Sequence, residues 1–358
     1  MLKRLVEFDP IAIPNTVVVS LTSLGVIGEL LQNKGVKIHA LNLSPLGLNL
    51  PIVIWRLIKL IRYHQPDIVQ TWMYHADLLG GLAARLAGCK NVVWGIRSTA
   101  IPQGFLSVTF WLIRLCAICS HIIPYKIICC AQSAKAAHIK LGYAAHKITV
   151  ISNGYDFSAF EQYSNSRAKA RMELGFDDNE IVIGVVGRFD PLKDFHNFIT
   201  AASILSAKLS NIKFLMIGRN IEWSNSTLYE WIEDGGLIKN FQLLGERSNI
   251  PFFLSAMDVF CLSSVNEAFP NVVVEAMAME LPCVVTQAGD AADIVGDNDF
   301  VVPVKDSVSL ANALLRMYDL SPEERINLGK KGSKRVREKY DIKNIRQQYE
   351  KMWELKDD

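Results

Sequence analysis

Short apolar runs rich in β-branched residues alternate along the chain with helical patterns, and this alternation constrains the fold more than any other feature. The runs of the first half are VVVSL (17–21), KIHAL (37–41), DIVQT (67–71), NVVWGI (91–96), KIICCA (126–131) and KITVIS (147–152). Those of the second half are IVIGVVG (181–187), KFLMIG (213–218), FQLLG (241–245), DVFCLSS (258–264), PCVVT (282–286) and FVVPV (300–304). Strands separated by helices form parallel sheets covered by helices, so the sequence predicts an α/β protein with two doubly wound domains.

A length of 358 residues also suits two domains. We expect an N-terminal domain over 1–153, a C-terminal domain over 154–335, and a C-terminal helix over 336–358 that packs back on the N-terminal domain. Asn153-Gly154 ends the first series and tolerates the positive φ of a tight turn, either as a pivot between domains or as an ordinary loop turn. Two such domains would direct the carboxyl ends of their strands at a central cleft, where ligands bind.

Charge and cysteine content narrow the class of protein. There are 38 Lys and Arg against 36 Asp and Glu, a net charge of +2, which argues against a nucleic-acid-binding protein. The seven cysteines lie in apolar runs without the spacing of a zinc site, as expected for reduced core residues. The chain opens with MLKRLVEFDP, which is too polar for a signal peptide, so we expect a cytoplasmic protein.

One segment, FLSVTFWLIRLCAICSHII (105–123), is long enough to span a bilayer. Arg114 near its middle would cost roughly 2.5–3.5 kcal/mol in a spanning helix. We therefore expect either a core helix or a helix lying on the inner face of the membrane, with Lys126, Lys135 and Lys140 nearby.

The loop GRFDPLKDF (187–195) follows a predicted buried strand and carries two cations five residues apart. Gly187 permits a close approach of the backbone, and Arg188 and Lys193 supply the fork of donors and the point charge that suit a diphosphate. A solvated surface pair would give the same spacing.

The stretch EAFPNVVVE (267–275) places a carboxylate on either side of a predicted helix start. Pro270 suits the first turn of a helix, which puts Glu267 in the preceding loop and Glu275 inside the helix. The N–H groups around Asn271 and Val272 would form an anion site. The two acids could then hold hydroxyls on either side of a phosphate; an exposed loop acid and a first-turn acid are the alternatives.

Taken in order, these stretches resemble the retaining nucleotide-sugar glycosyltransferases of family 4, which have the GT-B fold of two Rossmann-like domains. The matching stretches are SNGYDFSAF, GRFDPLKDF, FLMIGR, LLGERSNIPFFLSAMDVFCLSS, EAFPNVVVEAM and LPCVV. The resemblance implies transfer of a sugar to an acceptor hydroxyl with retention, without a metal or a cofactor. It also implies a role in the assembly of surface polysaccharide or lipopolysaccharide.

The resemblance assigns roles residue by residue. Glu267 would contact the donor sugar and Glu275 the ribose, while Arg188 and Lys193 would hold the diphosphate. Catalysis would rest on Glu267, Arg188, Lys193 and Arg97. The remaining residues expected to bind the donor are Gly187, Arg219, Glu246, Arg247, Phe269, Pro270, Asn271 and Val272.

The sequence departs from the family in three places. KRLVEF (3–8) resembles the end of the first helix of relatives, so a first strand and a glycine-rich loop are expected to be missing, through a misplaced start codon or a real truncation. Arg97 stands where many members have a histidine, as a cationic substitute or as a structural residue. Ala268 and Glu280 occupy positions often filled by glycine.

The acceptor is expected to meet residues of QTWMYHADLLGG (70–81), namely Tyr74, His75 and Asp77. The expected partners are a nucleotide-sugar donor, a saccharide or lipid-linked saccharide acceptor and the inner-membrane surface, with no nucleic acid. Two other classes of protein remain open: an impaired chain that binds a nucleotide sugar or a partner without turnover, and a glycoside hydrolase, which also uses two carboxylates.

Overall fold

The computed structural model describes residues 1–44, 46–102 and 107–354, and the chain divides into two compact units. The first unit comprises Met1–Asp156 and Tyr340–Asp358, and the second comprises Phe157–Lys339. Both boundaries lie a few residues later than the expected ones.

All sheets are parallel, and every predicted strand is present at its predicted place. In the first unit the strands are β1 (Val17–Ser20), β2 (Lys37–Ala40), β3 (Val69–Gln70), β4 (Val92–Ile96), β5 (Lys126–Cys129) and β6 (Ile148–Val150). In the second unit they are β7 (Ile181–Val186), β8 (Ile212–Ile217), β9 (Phe241–Leu243), β10 (Val259–Leu262), β11 (Cys283–Thr286) and β12 (Val301–Val302). The prediction of two parallel α/β domains is therefore confirmed.

Sixteen α-helices lie in the described residues. The first unit contains α1 (Leu2–Phe8), α2 (Gly25–Asn33), α3 (Leu50–His64), α4 (Tyr74–Ala87), α5 (Val108–Cys119), α6 (Gln132–Lys140) and the C-terminal α16 (Ile342–Trp353). The remaining helices are α7 (Ser158–Glu161), α8 (Arg167–Leu174), α9 (Phe195–Ser206), α10 (Ser226–Asp234), α11 (Ile250–Leu254), α12 (Asn271–Ala278), α13 (Ala291–Val295), α14 (Ser307–Asp319) and α15 (Pro322–Tyr340).

The sheet of the second unit has the strand order β12-β11-β10-β7-β8-β9. The chain first adds strands on one side of β7 and then reverses, so that β10 lies directly beside β7 on the other side. Such a reversal is a topological switch point, and ligands of open α/β sheets bind outside the carboxyl ends of the strands there. The loop after β7 carries Arg188 and Lys193, and the loop after β10 carries Glu267, three of the residues predicted to bind the donor.

The first unit has two sheets, a pair β1-β2 and a four-stranded sheet in the order β3-β4-β5-β6. Its C-terminal helix α16 buries Ile342, Ile345 and Tyr349 against Leu5 and Val93. This packing makes α16 part of the first unit.

The predicted turn at Asn153-Gly154 differs from expectation. Neither residue has a positive φ. A Cβ atom at Gly154 would lie 2.7 Å from Cδ1 of Ile342, so glycine is required here for close packing against α16. The pair lies inside the first unit, three residues before the boundary.

The apolar segment predicted over 105–123 forms a shorter helix, α5, that ends at Cys119. Residues 105 and 106 lie outside the described residues. No helix in the described part of the chain combines the length and the apolar character needed to cross a bilayer. One face of α5 buries Ile113, Cys116 and Ala117, as a core-contacting helix does.

Candidate active site

The loop after β7 continues into a short 3-10 helix, Pro191–Lys193. Asp190 accepts a hydrogen bond from the N–H of Leu192 at 2.9 Å and pairs with Arg188 at 3.0 Å. Burial alone would raise the pKa of Asp190, but these two partners hold the pKa below its ordinary value. Asp190 therefore orders the loop and restrains Arg188, whose side chain is 65% exposed.

Gly187 begins this loop, and its carbonyl lies beside the end of the neighbouring strand. A Cβ atom on Gly218 would lie 1.9 Å from the oxygen of Gly187, and the φ of Gly218 is +150°. Glycine at 218 is thus required for the close approach of the two loops. The backbone N–H of Phe189 donates to the carbonyl of Arg219 at 2.8 Å, which joins these loops further.

The loop after β10 leads into α12, which begins at Asn271 directly after Pro270. As predicted, Glu267 lies in the loop and Glu275 lies inside the helix, and both acids are half-buried. Phe269 and Pro270 are buried beneath the turn, whereas Asn271 is exposed at the first helical position. The helix start predicted between the two acids is therefore present.

The two loops meet through an ion pair between Lys193 and Glu267. The ammonium Nζ lies 2.5 Å from Oε1 of the carboxylate, and the side chains are 20% and 14% exposed. Ser264 donates to the same oxygen at 2.8 Å. A cation and an acid that were predicted separately, from different loops, are therefore brought together at the switch point.

The loop after β11 closes over the backbone of Glu267. A Cβ atom on Gly289, whose φ is +57°, would lie 2.1 Å from the carbonyl oxygen of Glu267. The N–H of Asp290 donates to the carbonyl of Ala268 at 3.1 Å. The φ of Ala268 is not positive, so alanine at this position is a mild change from glycine.

Three of the residues predicted to bind the donor, Arg219, Glu246 and Arg247, form an exposed group. Arg219 pairs with Glu246 at 3.3 Å, with side chains 67% and 65% exposed, and Arg247 donates to the carbonyl of Glu246 at 3.3 Å. Exposed pairs of this kind contribute little to stability. All three side chains are exposed and therefore accessible to a ligand.

The residues predicted to meet the acceptor differ in exposure. Tyr74 and Asp77 are buried, at 4% and 1% exposure, whereas His75 between them is exposed. The hydroxyl of Tyr74 bonds Nε2 of His138 at 3.0 Å. Direct contact of an acceptor with Tyr74 or Asp77 would need a local rearrangement, so His75 is the one of the three that is accessible.

Asp77 accepts hydrogen bonds from other residues of the first unit. It accepts hydrogen bonds from the hydroxyl of Thr71 at 2.5 Å and from the N–H of Gly95 at 3.3 Å. Burial raises the pKa of this carboxyl to about 8, against the opposing effects of those two donors. Through these bonds Asp77 links α4 to β4.

Arg97 has three partners within the first unit. Its guanidinium donates to Asn153 at 3.1 Å and to the hydroxyl of Tyr349, and it lies 4.6 Å from the ring centre of Trp72. These contacts give Arg97 a structural part in holding α16. Its catalytic role stays a prediction.

Sequence reasoning missed the residues that hold the Lys193–Glu267 pair. Ser263 and Ser264 directly follow β10, and Thr286 is the last residue of β11. A signal was present, since two consecutive serines at the end of an apolar strand are available to bond neighbouring loops.

Comparison with known proteins identifies the class to which this fold and site belong. The pattern of the family described as glycosyl transferases group 1 matches residues 166–335, and that of glycosyltransferase family 4 matches residues 16–159. The chain belongs to this family of GT-B retaining glycosyltransferases, as the sequence predicts. It is accordingly a nucleotide-sugar-dependent glycosyltransferase.

Particular relatives support the same family. The chain is 32% identical to the UDP-Gal:alpha-D-GlcNAc-diphosphoundecaprenol alpha-1,3-galactosyltransferase of Escherichia coli, over 74% of this chain and 69% of the relative. It is 28% identical to the capsular polysaccharide biosynthesis glycosyltransferase CapM of Staphylococcus aureus, over 83% of this chain and 79% of that protein.

The fold matches that of solved structures. Anabaena Alr3699/HepE, crystallised in complex with UDP, superposes with a TM-score of 0.84 at 22% identity, over 97% of this chain and 95% of that one. Sucrose-phosphate synthase from Thermosynechococcus elongatus superposes with a TM-score of 0.74 at 18% identity, over 89% of this chain and 82% of that one. The predicted GT-B fold class is thus confirmed.

Proposed function

We propose that this glycosyltransferase moves a hexose from a UDP-sugar to a hydroxyl of a saccharide carried on a lipid diphosphate, with retention, during assembly of a surface polysaccharide. The observation that carries the proposal is the Lys193–Glu267 pair at the switch point of the second sheet, beside the start of α12. The E. coli relative, whose name specifies UDP-galactose and a diphosphoundecaprenol-linked acceptor, supports the choice of substrates.

In this proposal the loop after β7 binds the diphosphate. Gly187 allows the phosphates to approach the backbone, while Arg188 and Lys193 neutralise the charge that develops on the leaving diphosphate. The N–H groups of α12, from Asn271 and Val272, add the positive end of the helix dipole. Preorganised donors of this kind lower the barrier for departure of the nucleotide.

The acids take separate roles on the same donor. Glu267, held at the loop, orients the sugar, and Glu275, further along the helix, bonds the ribose. Phe269 and Pro270 shape the turn between them. Arg219, Glu246 and Arg247 are proposed to lie near the base, and Arg97 and His75 are proposed to act on the acceptor side, where Tyr74 and Asp77 have a supporting part.

The donor is tested with a panel of UDP- and GDP-hexoses, using undecaprenyl-diphosphate-linked N-acetylglucosamine as the acceptor and following lipid-linked product by chromatography. We expect product from a UDP-hexose, with the anomeric configuration of the donor preserved in its NMR spectrum. Product from a GDP-hexose alone would contradict the choice of nucleotide. Hydrolysis of an oligosaccharide without a nucleotide sugar would favour a glycoside hydrolase.

We further propose that the first unit contacts an anionic membrane surface. This unit carries 19 Lys and Arg against 11 Asp and Glu, a net charge of +8, whereas the second unit carries 19 against 25, a net charge of −6. A basic surface is attracted to anionic lipid headgroups, where a lipid-linked acceptor is found.

Three packed helices, α3, α4 and α5, give this unit an apolar and basic face. Large apolar side chains on them are exposed, namely Ile52, Trp55, Leu82, Leu86, Val108, Trp111, Leu115 and Ile118. Arg56, Lys59, Arg62 and Arg114 are exposed among them. The structure describes every residue of these helices, and their one acid, Asp77, is buried. Such a face suits binding in the interfacial layer of a bilayer.

Flotation with vesicles tests the contact. The protein should float with phosphatidylglycerol vesicles and much less with phosphatidylcholine vesicles, and the double variant Trp55→Ser/Trp111→Ser should lose most of this binding. The matched control is Met172→Ser/Ile326→Ser, which removes exposed apolar side chains from the acidic second unit. Equal loss in both double variants, or no binding by the wild type, would contradict the proposed face.

A further inference from the structure

Ser264 lies buried at the end of β10, with 1% of its surface exposed, and its hydroxyl points to the acid that follows it by three residues. The Oγ atom donates to Oε1 of Glu267 at 2.8 Å. A hydrogen bond to a charged group is stronger than one between neutral groups. Ser264 therefore restrains the orientation of the carboxylate.

Ser264 is itself held from the neighbouring strand. Thr286, which is fully buried at the end of β11, donates from Oγ1 to the carbonyl of Ser264 at 2.6 Å. The same hydroxyl lies 3.2 Å from the carbonyl of Leu262. A buried hydroxyl that bridges two carbonyls fixes the backbone from which the Ser264 side chain projects.

The adjacent serine holds the other member of the ion pair. The hydroxyl of Ser263 donates to the backbone carbonyl of Lys193 at 2.8 Å. Val265 donates its N–H to the carbonyl of Leu192 at 2.9 Å. Both members of the Lys193–Glu267 pair are thus attached to the end of β10 by consecutive residues.

Lys193 and Ser264 share one oxygen of Glu267, at 2.5 and 2.8 Å. A diphosphate beside Lys193 would compete with Glu267 for the ammonium group, since phosphate carries the higher charge. The diphosphate would not compete with Glu267 for the hydroxyl of Ser264. It can therefore keep the carboxylate in place when the ammonium turns to the donor.

We infer that Ser264 is a positioning residue that orients Glu267 toward the donor sugar, with Thr286 holding Ser264 in place. The inference rests on the proposed function, which assigns Glu267 to the sugar and Lys193 to the diphosphate. Ser264 acts through Glu267 and does not itself touch the substrate.

The test is a double-mutant cycle on Ser264→Ala and Glu267→Gln, measured with the UDP-hexose and lipid acceptor that give most product in the panel above. Loss of a hydrogen bond to a charged group should lower kcat of Ser264→Ala about tenfold, with the KM for the donor changed less than about twofold. In the Glu267→Gln background the same change should lower kcat less than about twofold.

The matched control is Ser255→Ala, which removes another buried hydroxyl of the second unit, one that bonds the carbonyl of Phe252 at 2.6 Å. We expect its kcat to stay within about twofold of the wild type. For the residue that supports Ser264, Thr286→Val should lower kcat and Thr286→Ser should restore it. This pair keeps the inference testable should Ser264→Ala fail to fold.

The possible results distinguish a failure of the positioning role of Ser264 from a failure of the proposed role of Glu267. An equal effect of Ser264→Ala in both backgrounds, with kcat lowered by Glu267→Gln, would overturn the positioning role alone. Unchanged kcat in Glu267→Gln would overturn the role of Glu267 in the proposed function and the inference with it. A loss in Ser255→Ala as large as that in Ser264→Ala would show a general effect of buried hydroxyls and also overturn the inference.

Discussion

Lys193 and Glu267 are 74 residues apart in the sequence, yet their charged atoms lie 2.5 Å apart. Each residue was predicted to bind the donor from its own loop, and the sequence offered no reason to expect a direct contact. The contact follows from the reversal of strand order, which places β10 beside β7. At the residue scale, the sequence therefore predicts which groups are present but not which of them are paired.

Breaking this pair should cost stability in the protein without donor. Lys193→Met leaves the half-buried carboxylate of Glu267 without its cation, and we expect the free energy of unfolding to fall by about 1–3 kcal/mol. Lys193→Met/Glu267→Gln should recover part of that loss, because the acid is then neutral. Urea denaturation measures both. If the double variant lost more unfolding free energy than the two single variants lose together, this would contradict the pairing.

Asp77 should make stability depend on pH. Its pKa is raised to about 8 by burial, while an unfolded Asp has a pKa of 3.8. Between these values the unfolded state is ionised and the folded state keeps its proton, so this group lowers stability as pH rises, by about 1.4 kcal/mol per pH unit. Below about pH 4 both states are protonated and the effect vanishes.

Asp77→Asn removes that dependence while keeping an acceptor for the hydroxyl of Thr71 and the N–H of Gly95. We expect the difference in unfolding free energy, variant minus wild type, to increase steadily from pH 4 to pH 8. Urea denaturation at four pH values measures it. A difference that does not change with pH would contradict the assignment of a protonated Asp77.

At the scale of elements, the sequence predicts the fold well because each element has a strong local signal. All twelve strands coincide with apolar runs, and α12 starts at Asn271, as Pro270 indicated. Predictions were weaker where the signal was not local. Tyr74 and Asp77 are polar residues at a helix start that the sequence pattern favoured as ligand contacts, but the turn of α4 directs them into the core, and only His75 remains exposed.

The end of α12 carries a strained residue. Glu280 follows the helix with a φ of +62°, a conformation that costs non-glycine residues about 1–2 kcal/mol. Glu280→Gly should relieve this strain, although the unfolded chain gains freedom in return. We expect a net gain of about 0.5–1 kcal/mol in unfolding free energy.

Thermal denaturation followed by circular dichroism measures this gain. The control is Gly329→Ala, whose Cβ would lie 1.8 Å from the carbonyl oxygen of Glu280 and should therefore destabilise the contact between α15 and the end of α12. A lower melting temperature for Glu280→Gly would show that the side chain, and not the backbone conformation, determines stability at this position.

At the scale of the whole molecule, the two units carry net charges of opposite sign, which nearly cancel in the net charge of the chain. The net charge of +2, which argues against a nucleic-acid-binding protein, is the balance of a first unit at +8 and a second unit at −6. The division between units that reveals this difference comes from the structure. The proposed membrane face and the proposed donor site thus lie in units of opposite net charge.

Glu267 and Glu275 are proposed to bind different parts of one donor, and titration calorimetry with UDP tests this most directly. UDP contains the ribose and the diphosphate but no sugar. Glu275→Gln should therefore weaken UDP binding about tenfold or more, while Glu267→Gln should change it less than about threefold. Weaker UDP binding in Glu267→Gln than in Glu275→Gln, or unaltered binding in Glu275→Gln, would contradict the account.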